Sequence, residues 1–462
     1  MPSAPAEQSA ATGLTPARLL SLCPALATAS AICVACSGGL DSTVLLHLLV
    51  QARVNSLLVA SLRVFHVHHG MQLEADSWLE HCRAQCEQWQ LPFTAIRVRV
   101  ELHQGDSPEA AARRARYFAF EEALQPGEVL VQAHHANDQA ETLLLRLLRG
   151  SGMTGLGSIP AARRLGVGRL LRPLLVVGRN QLLAYAHANR LQWIEDPSNT
   201  DTRYDRNFLR WQVIPVLQQQ WPSTVNSLLR SASLAAEADG LLNELAAADL
   251  LQVHIDGFAN RLSVAALQQL NPARQRNLLR HWILTQPPEL QGGAPGYELL
   301  QRCISELLDP MITQPRLLAW GEGAEALQLH RYRDVLCLLR PLPPPPAAQG
   351  WTLEQALKLP APLGSLHWRE PSQMPGVPQQ LELRFRVGGE RIVRDDGHHQ
   401  TLKNYWQQRG IPPWLRDSVP LLYHGGELVA IGDEVIAASS LGMATKKLQP
   451  LCWQRSHLLC GW

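Results

Sequence analysis

Three short stretches carry residue types that could do chemistry. The first is Ser37-Gly38-Gly39-Leu40-Asp41-Ser42, wedged between the apolar runs AICVAC and STVLLHLLVQA. Two glycines and two serines between a strand and a helix make a turn whose backbone N–H groups can be held open for an anion. Asp41 adds a condition, because a carboxylate beside an anion is repulsive unless a cation lies between them. The second stretch is His134-His135-Ala136-Asn137-Asp138-Gln139-Ala140-Glu141-Thr142. On a helix starting near Asn137, Asp138 faces Glu141 and Thr142 at i+3 and i+4. Such a carboxylate pair can bind a metal ion or an ammonium group, although acids also complement a helix N-terminus without binding anything. The third feature is arginine. Glu109, Arg113, Arg116 and Tyr117 share one helical face, and Arg206 and Arg210 follow the turn Glu195-Asp196-Pro197-Ser198-Asn199. Guanidinium groups suit bidentate contact with phosphate, and a solvated basic face would look the same.

Positioning these groups requires a scaffold, and the first half of the chain supplies an alternation of period-2 and period-3.6 patterns. AICVAC, SLRVFHVHH, FTAIRVRV and GEVLVQAHH read as strands, with helices over STVLLHLLVQA, SWLEHCRAQCEQW, SPEAAARRARYFAFEEAL and NDQAETLLLRLLRG. That order predicts a parallel sheet covered on both faces, whose ligands bind beyond the carboxyl ends of the strands. Both CSGGLDS and HHANDQAET fall at strand ends, so they are expected to converge. From about residue 215 the sequence becomes helical. The run Pro341-Leu342-Pro343-Pro344-Pro345-Pro346 is a stiff linker, and mixed β and α signals follow, including LELRFRVGGERI, which reads as a β-hairpin about its Gly-Gly pair.

Composition narrows the classes. Of 462 residues, 46% are hydrophobic and the net charge is +2, so no global basic field advertises nucleic acid. The lysines are Lys358, Lys403, Lys446 and Lys447, leaving none in the first 357 residues. That excludes a phosphate-loop NTPase lysine or a Schiff-base lysine there, so any phosphate clamp uses arginine, backbone amides and metal. No apolar run is long enough for a membrane span, and MPSAPAEQSAATG lacks a secretory signal's basic start and apolar core. A cytoplasmic protein with no membrane partner is expected. The nine cysteines form no disulfide-like framework. Cys33 and Cys36, three apart on a strand, point to opposite faces and cannot easily grip one metal.

Ser37-Gly38-Gly39-Leu40-Asp41-Ser42 resembles the pyrophosphate loop of the ATP pyrophosphatase (PP-loop) superfamily. Taken in order with H-H-x-x-D-Q-x-E-T, RGSGMTGLGSI, LLRPLL, WIEDPSNTDTRYDRNFLR, RFRVGGER and IPPWLRDSVPLL, it is similar to the bacterial tRNA(Ile)-lysidine synthetases. The resemblance spans about residues 30 to 436. It implies an α/β fold with a doubly wound parallel sheet of PP-loop type, then a helical domain and a small α+β domain. The expected boundaries are a disordered tail at 1–20, an adenylation domain at 21–214, a mainly helical tRNA-binding domain at 215–340, the linker at 341–350 and a C-terminal tRNA-binding domain at 351–462. The implied reaction adenylates C2 of the cytidine at the first anticodon position of tRNA(Ile), the species with a CAU anticodon. Attack by L-lysine then gives lysidine, with AMP and pyrophosphate released. In this frame Ser37, Gly38, Gly39, Leu40, Asp41 and Ser42 bind ATP, and Asp41 and Asp138 hold Mg²⁺. Asp41, His134, Asp138 and Glu141 are the catalytic candidates, and Arg113, Arg116, Arg206 and Arg210 hold tRNA phosphates. A homodimer is compatible with this reading. The alternative is a PP-loop tRNA thiolase, which needs a sulfur-carrying cysteine.

Overall fold

The computed structural model describes residues 13–68, 70, 74–101, 108–293, 295–311, 314–323, 326–369, 377–393, 399–437, 439–441 and 450–459. The chain divides into two compact units, Met1–Leu241 and Leu242–Trp462.

The first unit is built on six strands: β1 (Ala31–Ala35), β2 (Ser61–His68), β3 (Phe93–Arg97), β4 (Val129–Val131), β5 (Ala162–Leu165) and β6 (Gly168–Leu171). Their order is β3-β2-β1-β4-β6-β5; all neighbours are parallel except β5, which pairs antiparallel with β6. Alternation along β1 explains the two-sided core. Ile32 and Val34 pack with Val64, Val131, Leu171 and the helix α2 defined below on one face, whereas Cys33 packs with Phe65, Phe120, Leu130 and Leu170 on the other.

The helices, in chain order, are α1 (Pro16–Leu22), α2 (Leu40–Val54), α3 (Ala75–Gln88), α4 (Pro108–Ala123), α5 (Ala136–Leu148), α6 (Met153–Leu156) and α7 (Arg179–Ala188). α1 corrects the expected disordered tail. Residues 1–12 lie outside the described residues, but Thr15 caps α1 by accepting from the Arg18 N–H at 3.1 Å, and Leu14 and Leu19 are buried in the sheet's core. Burial of those leucines outweighs a composition that reads as disordered.

A continuous helical segment closes the unit. Asp205–Phe208 is α-helical, Leu209–Val213 forms a wider π turn, and Ile214–Gln220 is α-helical again. Pro215 lacks an N–H and its ring crowds the carbonyl four residues back, which accounts for the widened turn before it. The helix Thr224–Val253 contains the boundary between the units.

Residues 215–340 are mainly helical, as expected, and they also carry strands. Four antiparallel strands, β7 (Arg261–Ser263), β8 (Arg316–Trp320), β9 (Leu327–Tyr332) and β10 (Val335–Leu339), form a sheet in the order β7-β10-β9-β8 beside the helix Pro272–Leu284. The C-terminal part is α+β, with a five-stranded sheet, a three-stranded sheet and the helix Leu402–Arg409. The hairpin expected about Gly388-Gly389 does not form. Gln380–Arg384 pairs with Gln349–Thr352 and Leu421–His424, while Arg391–Val393 pairs with His399–Thr401 in a separate two-stranded sheet. Glu390 explains the redirection: its carboxylate accepts from the Val387 and Gly388 amides at 2.6 and 2.8 Å, and both glycines hold positive φ. No helix among the described residues is long and apolar enough to cross a membrane.

Candidate active site

The loop Cys36–Gly39 leaves β1 at its carboxyl end and enters α2 without a side-chain cap. The first-turn N–H groups of α2 therefore have no intrahelical or capping acceptor, which is the arrangement that receives an anion. Gly38 makes this turn possible. Its φ is +82°, and a Cβ there would lie 2.6 Å from Ile194 Cδ1 and 2.9 Å from Cys82 Sγ. The Gly38 carbonyl accepts from the Ile194 N–H at 2.9 Å, so a distant strap holds the loop down. Ser42 differs from expectation. Its hydroxyl is turned inward, accepting from the Ser37 N–H at 3.3 Å and donating to the Gly39 carbonyl at 3.0 Å. It shapes the loop instead of facing a ligand, because the helix's first turn carries that side chain under the glycines.

Asp41 and Asp138 meet through His135. α5 begins with a capping box: the His135 N–H donates to Asp138 Oδ2 at 2.9 Å, and His135 Nδ1 accepts from the Asn137 N–H at 3.2 Å. Because Nδ1 accepts, the ring proton sits on Nε2, which lies 3.5 Å from Asp41 Oδ2 and 3.6 Å from Asp138 Oδ2. Burial opposes ionisation of Asp138, but His135 and Arg206 overcome it and hold its pKa down at about 2. Arg179, at the start of α7, approaches Asp41 Oδ2 at 3.6 Å. Asp41 Oδ1 is buried with no hydrogen-bond partner. A lone buried carboxylate oxygen beside an anion-binding turn is the donor a hard divalent cation takes, so Asp41 fits Mg²⁺. Asp138 fits it less well, since Oδ2 caps α5 and Oδ1 takes Arg206 and Arg210 at 3.4 and 3.2 Å.

Glu141, Arg206 and Arg210 also depart from their expected roles. Glu141 is fully buried. Arg206 Nε donates to its Oε2 at 2.7 Å and Arg210 Nε to its Oε1 at 2.6 Å. The α-to-π transition carries both guanidinium groups onto this one carboxylate. Glu141 thus has no oxygen left for an ammonium group, and the two arginines are committed to acids of α5 before any phosphate arrives. Further arginines lie next to them. Arg113, Tyr117, Arg146, Arg163, Arg172 and Arg206 are among the residues lining a cleft of about 420 Å³. Arg113 and Arg163 stand over the Tyr117 ring, 5.1 and 4.6 Å from its centre. Burial would raise the Tyr117 pKa, but Arg113 and Arg172 outweigh it and lower it. Arg116 is not among the lining residues, and the side chain of Glu109 is outside the described ones. Arg206 links the two regions, since it lines the cleft and pairs with Asp138, which faces Asp41 across the buried His135.

Family comparisons agree with this architecture. The PP-loop domain family matches residues 14–217, the TilS substrate binding domain 262–337 and the TilS substrate C-terminal domain 381–453. The tRNA(Ile)-lysidine synthase of Methylococcus capsulatus is 40% identical over 90% of this chain and 94% of its own. That of Alkalilimnicola ehrlichii is 42% identical over 91% and 93%. The chain belongs to the tRNA(Ile)-lysidine synthase family. Among solved structures, the U34-tRNA thiolase NcsA of Methanococcus maripaludis with its 4Fe-4S cluster is 15% identical, with a TM-score of 0.38, covering 48% of this chain and 78% of that one.

Within the lysidine synthase reading Cys33, Cys36, Cys82 and Cys86 are core residues. Cys33 and Cys36 lie on opposite faces of the sheet, and burial pushes the Cys33 and Cys86 thiols up to about 12. Among the described residues no group of three or more His, Cys, Asp or Glu side chains is arranged to hold a metal. Sequence reasoning missed Arg163, Arg172, Arg179 and Ile194. Each reaches the site from a segment outside the three chemical stretches; the available signals were Arg172 inside LLRPLL and Ile194 inside WIEDPSNTDTRYDRNFLR.

Proposed function

We propose that this chain couples L-lysine to C2 of the cytidine at the first anticodon position of tRNA(Ile), by way of an adenylated cytidine, and so changes its reading from AUG to AUA. The observation that supports this reading is a chain of charged contacts from the Gly38–Gly39 loop toward an arginine-lined cleft: Asp41 lies 3.5 Å from His135, His135 3.6 Å from Asp138, and Asp138 pairs with Arg206, which lines the cleft. Loop amides and the N-terminus of α2 take the terminal phosphates of ATP. Asp41 Oδ1 would hold Mg²⁺, which on binding offsets the triphosphate charge beside the carboxylate. Arg113, Arg146 and Arg163 receive phosphates of the anticodon loop, and the target base is splayed from its neighbours to enter. Adenylation converts the C2 oxygen, a poor leaving group, into AMP. The lysine ammonium is drawn toward Asp41, because Glu141 and Asp138 are both paired with Arg206 and Arg210.

The test is incubation with ATP, Mg²⁺, labelled lysine and a tRNA(Ile) transcript carrying CAU. Lysine incorporation with AMP and pyrophosphate release is expected. A requirement for a sulfur donor, with lysine ignored, would overturn the reading in favour of thiolation.

A further inference from the structure

The stretch LLRPLL has no role in the chemistry above, yet its arginine is placed at the floor of the cleft. Arg172 follows β6 and is 3% exposed. Its guanidinium donates in three directions: from Nη1 to the Pro160 carbonyl at 2.7 Å, from Nη2 to the Tyr117 hydroxyl oxygen at 3.1 Å, and from Nε to His134 Nδ1 at 3.2 Å. All three acceptors are neutral, and among the described residues no carboxylate pairs with it. A buried guanidinium without a counter-charge is costly, and Arg113 and Arg163 nearby increase that cost. What the arrangement achieves is direction. A guanidinium N–H can only donate, so His134 Nδ1 must accept, and the ring's proton is left on Nε2. The same logic runs through Tyr117. Its oxygen accepts from Arg172, and its own proton goes to Gln132 Oε1 at 3.2 Å. The charged groups facing His134 are Asp138, Arg172, Arg206 and Arg113; burial and the three arginines outweigh Asp138 and push its pKa down to about 3.

We propose that Arg172 is a positioning residue that locks His134 as its Nε2–H tautomer, so that His134 meets the bound nucleotide as a hydrogen-bond donor and not as a base. Placing the nucleotide in this cleft rests on the lysidine reading; the tautomer does not. An arginine is needed here because its planar fork holds three acceptors at once, whereas a lysine ammonium keeps the charge without fixing the directions. Proton removal from the incoming amine then falls to a group other than His134.

The experiment uses full-length protein with ¹⁵N-labelled histidine, the His134 ring signals being assigned by their loss in His134→Gln. At neutral pH, without substrates, wild type is expected to show Nε2 protonated and Nδ1 unprotonated. Arg172→Lys is expected to mix the two tautomers and to lower kcat for lysine incorporation at least tenfold, with KM for ATP within twofold of wild type. Arg172→Met extends the series if it folds; Arg172→Lys suffices if it does not. A wild-type ring protonated on Nδ1, or on both nitrogens, overturns the proposal. So does an Arg172→Lys protein with an unchanged tautomer or an unchanged kcat. Wild-type protein that shows the expected tautomer but incorporates no lysine would refute the functional reading and leave the tautomer assignment standing.

Discussion

Replacing Gly38 by alanine isolates the geometry on which the proposed nucleotide site depends. At φ +82° an L-residue is strained, by about 1–2 kcal/mol. The added methyl would lie 2.6 Å from Ile194 Cδ1 and 2.9 Å from Cys82 Sγ, and overpacking of this kind costs roughly 1–3 kcal/mol. Together Gly38→Ala should destabilise by roughly 2–5 kcal/mol. Gly39→Ala is the internal control. Its φ is −73° and the nearest atom to an added Cβ is Ser37 Oγ at 3.5 Å, so a loss under about 1 kcal/mol is expected. A third variant separates strain from clash. Adding Ile194→Ala to Gly38→Ala removes the closest clash and should recover roughly 1–2 kcal/mol of coupling in a double-mutant cycle, leaving the backbone strain in place. Urea unfolding reports the stabilities, and titration calorimetry with ATP reports the loop. ATP affinity is expected to fall at least about tenfold in Gly38→Ala, a change of about 1.4 kcal/mol, as the first-turn amides shift. A Gly38→Ala protein within about 0.5 kcal/mol of wild type, with unchanged ATP affinity, would refute the reasoning.

Other residues separate chemistry from scaffold. Asp41→Asn keeps the shape of the turn but removes its charge, so turnover should fall at least about a hundredfold, roughly 2.7 kcal/mol of transition-state stabilisation, with little change in melting temperature. Glu141→Gln leaves two arginines against an uncharged group and should destabilise by about 3 kcal/mol or more in urea unfolding; a loss of activity without loss of stability would return Glu141 to the chemistry. Arg113→Ala should weaken tRNA binding and lower the log–log salt slope by about 0.7–0.9 for each phosphate the arginine neutralises. Asp138 carries a pH dependence. Its folded pKa of about 2 lies below the ordinary 3.8, so its stabilisation is complete above about pH 4 and is lost as pH falls toward 2. That contribution is on the order of 2 kcal/mol, and Asp138→Asn should flatten acid unfolding across this window.

Much of the proposed nucleotide site was legible because its determinants are local. The change from period 2 to period 3.6 across Ser37–Ser42, the two glycines between them, and the acid three residues after His135 all act within one turn of chain, where sequence spacing and spatial distance are nearly the same thing. Period 2 likewise sends Cys33 and Cys36 to opposite faces whatever else the protein does. The tertiary structure decided the partners. Arg206 and Arg210 read as free cations, yet they reach Glu141 across 65 and 69 residues. Coulombic pairing depends on separation in space, which no local pattern encodes. Leu14 and Leu19 sit in a segment whose composition reads as disordered, and only the core they enter orders it. The cleft is a sharper case, since Arg113, Arg163 and Arg172 come from α4, β5 and the end of β6. The loop's chemistry is thus written in one stretch of sequence, while the charge that faces it exists only once the sheet has gathered its strand ends.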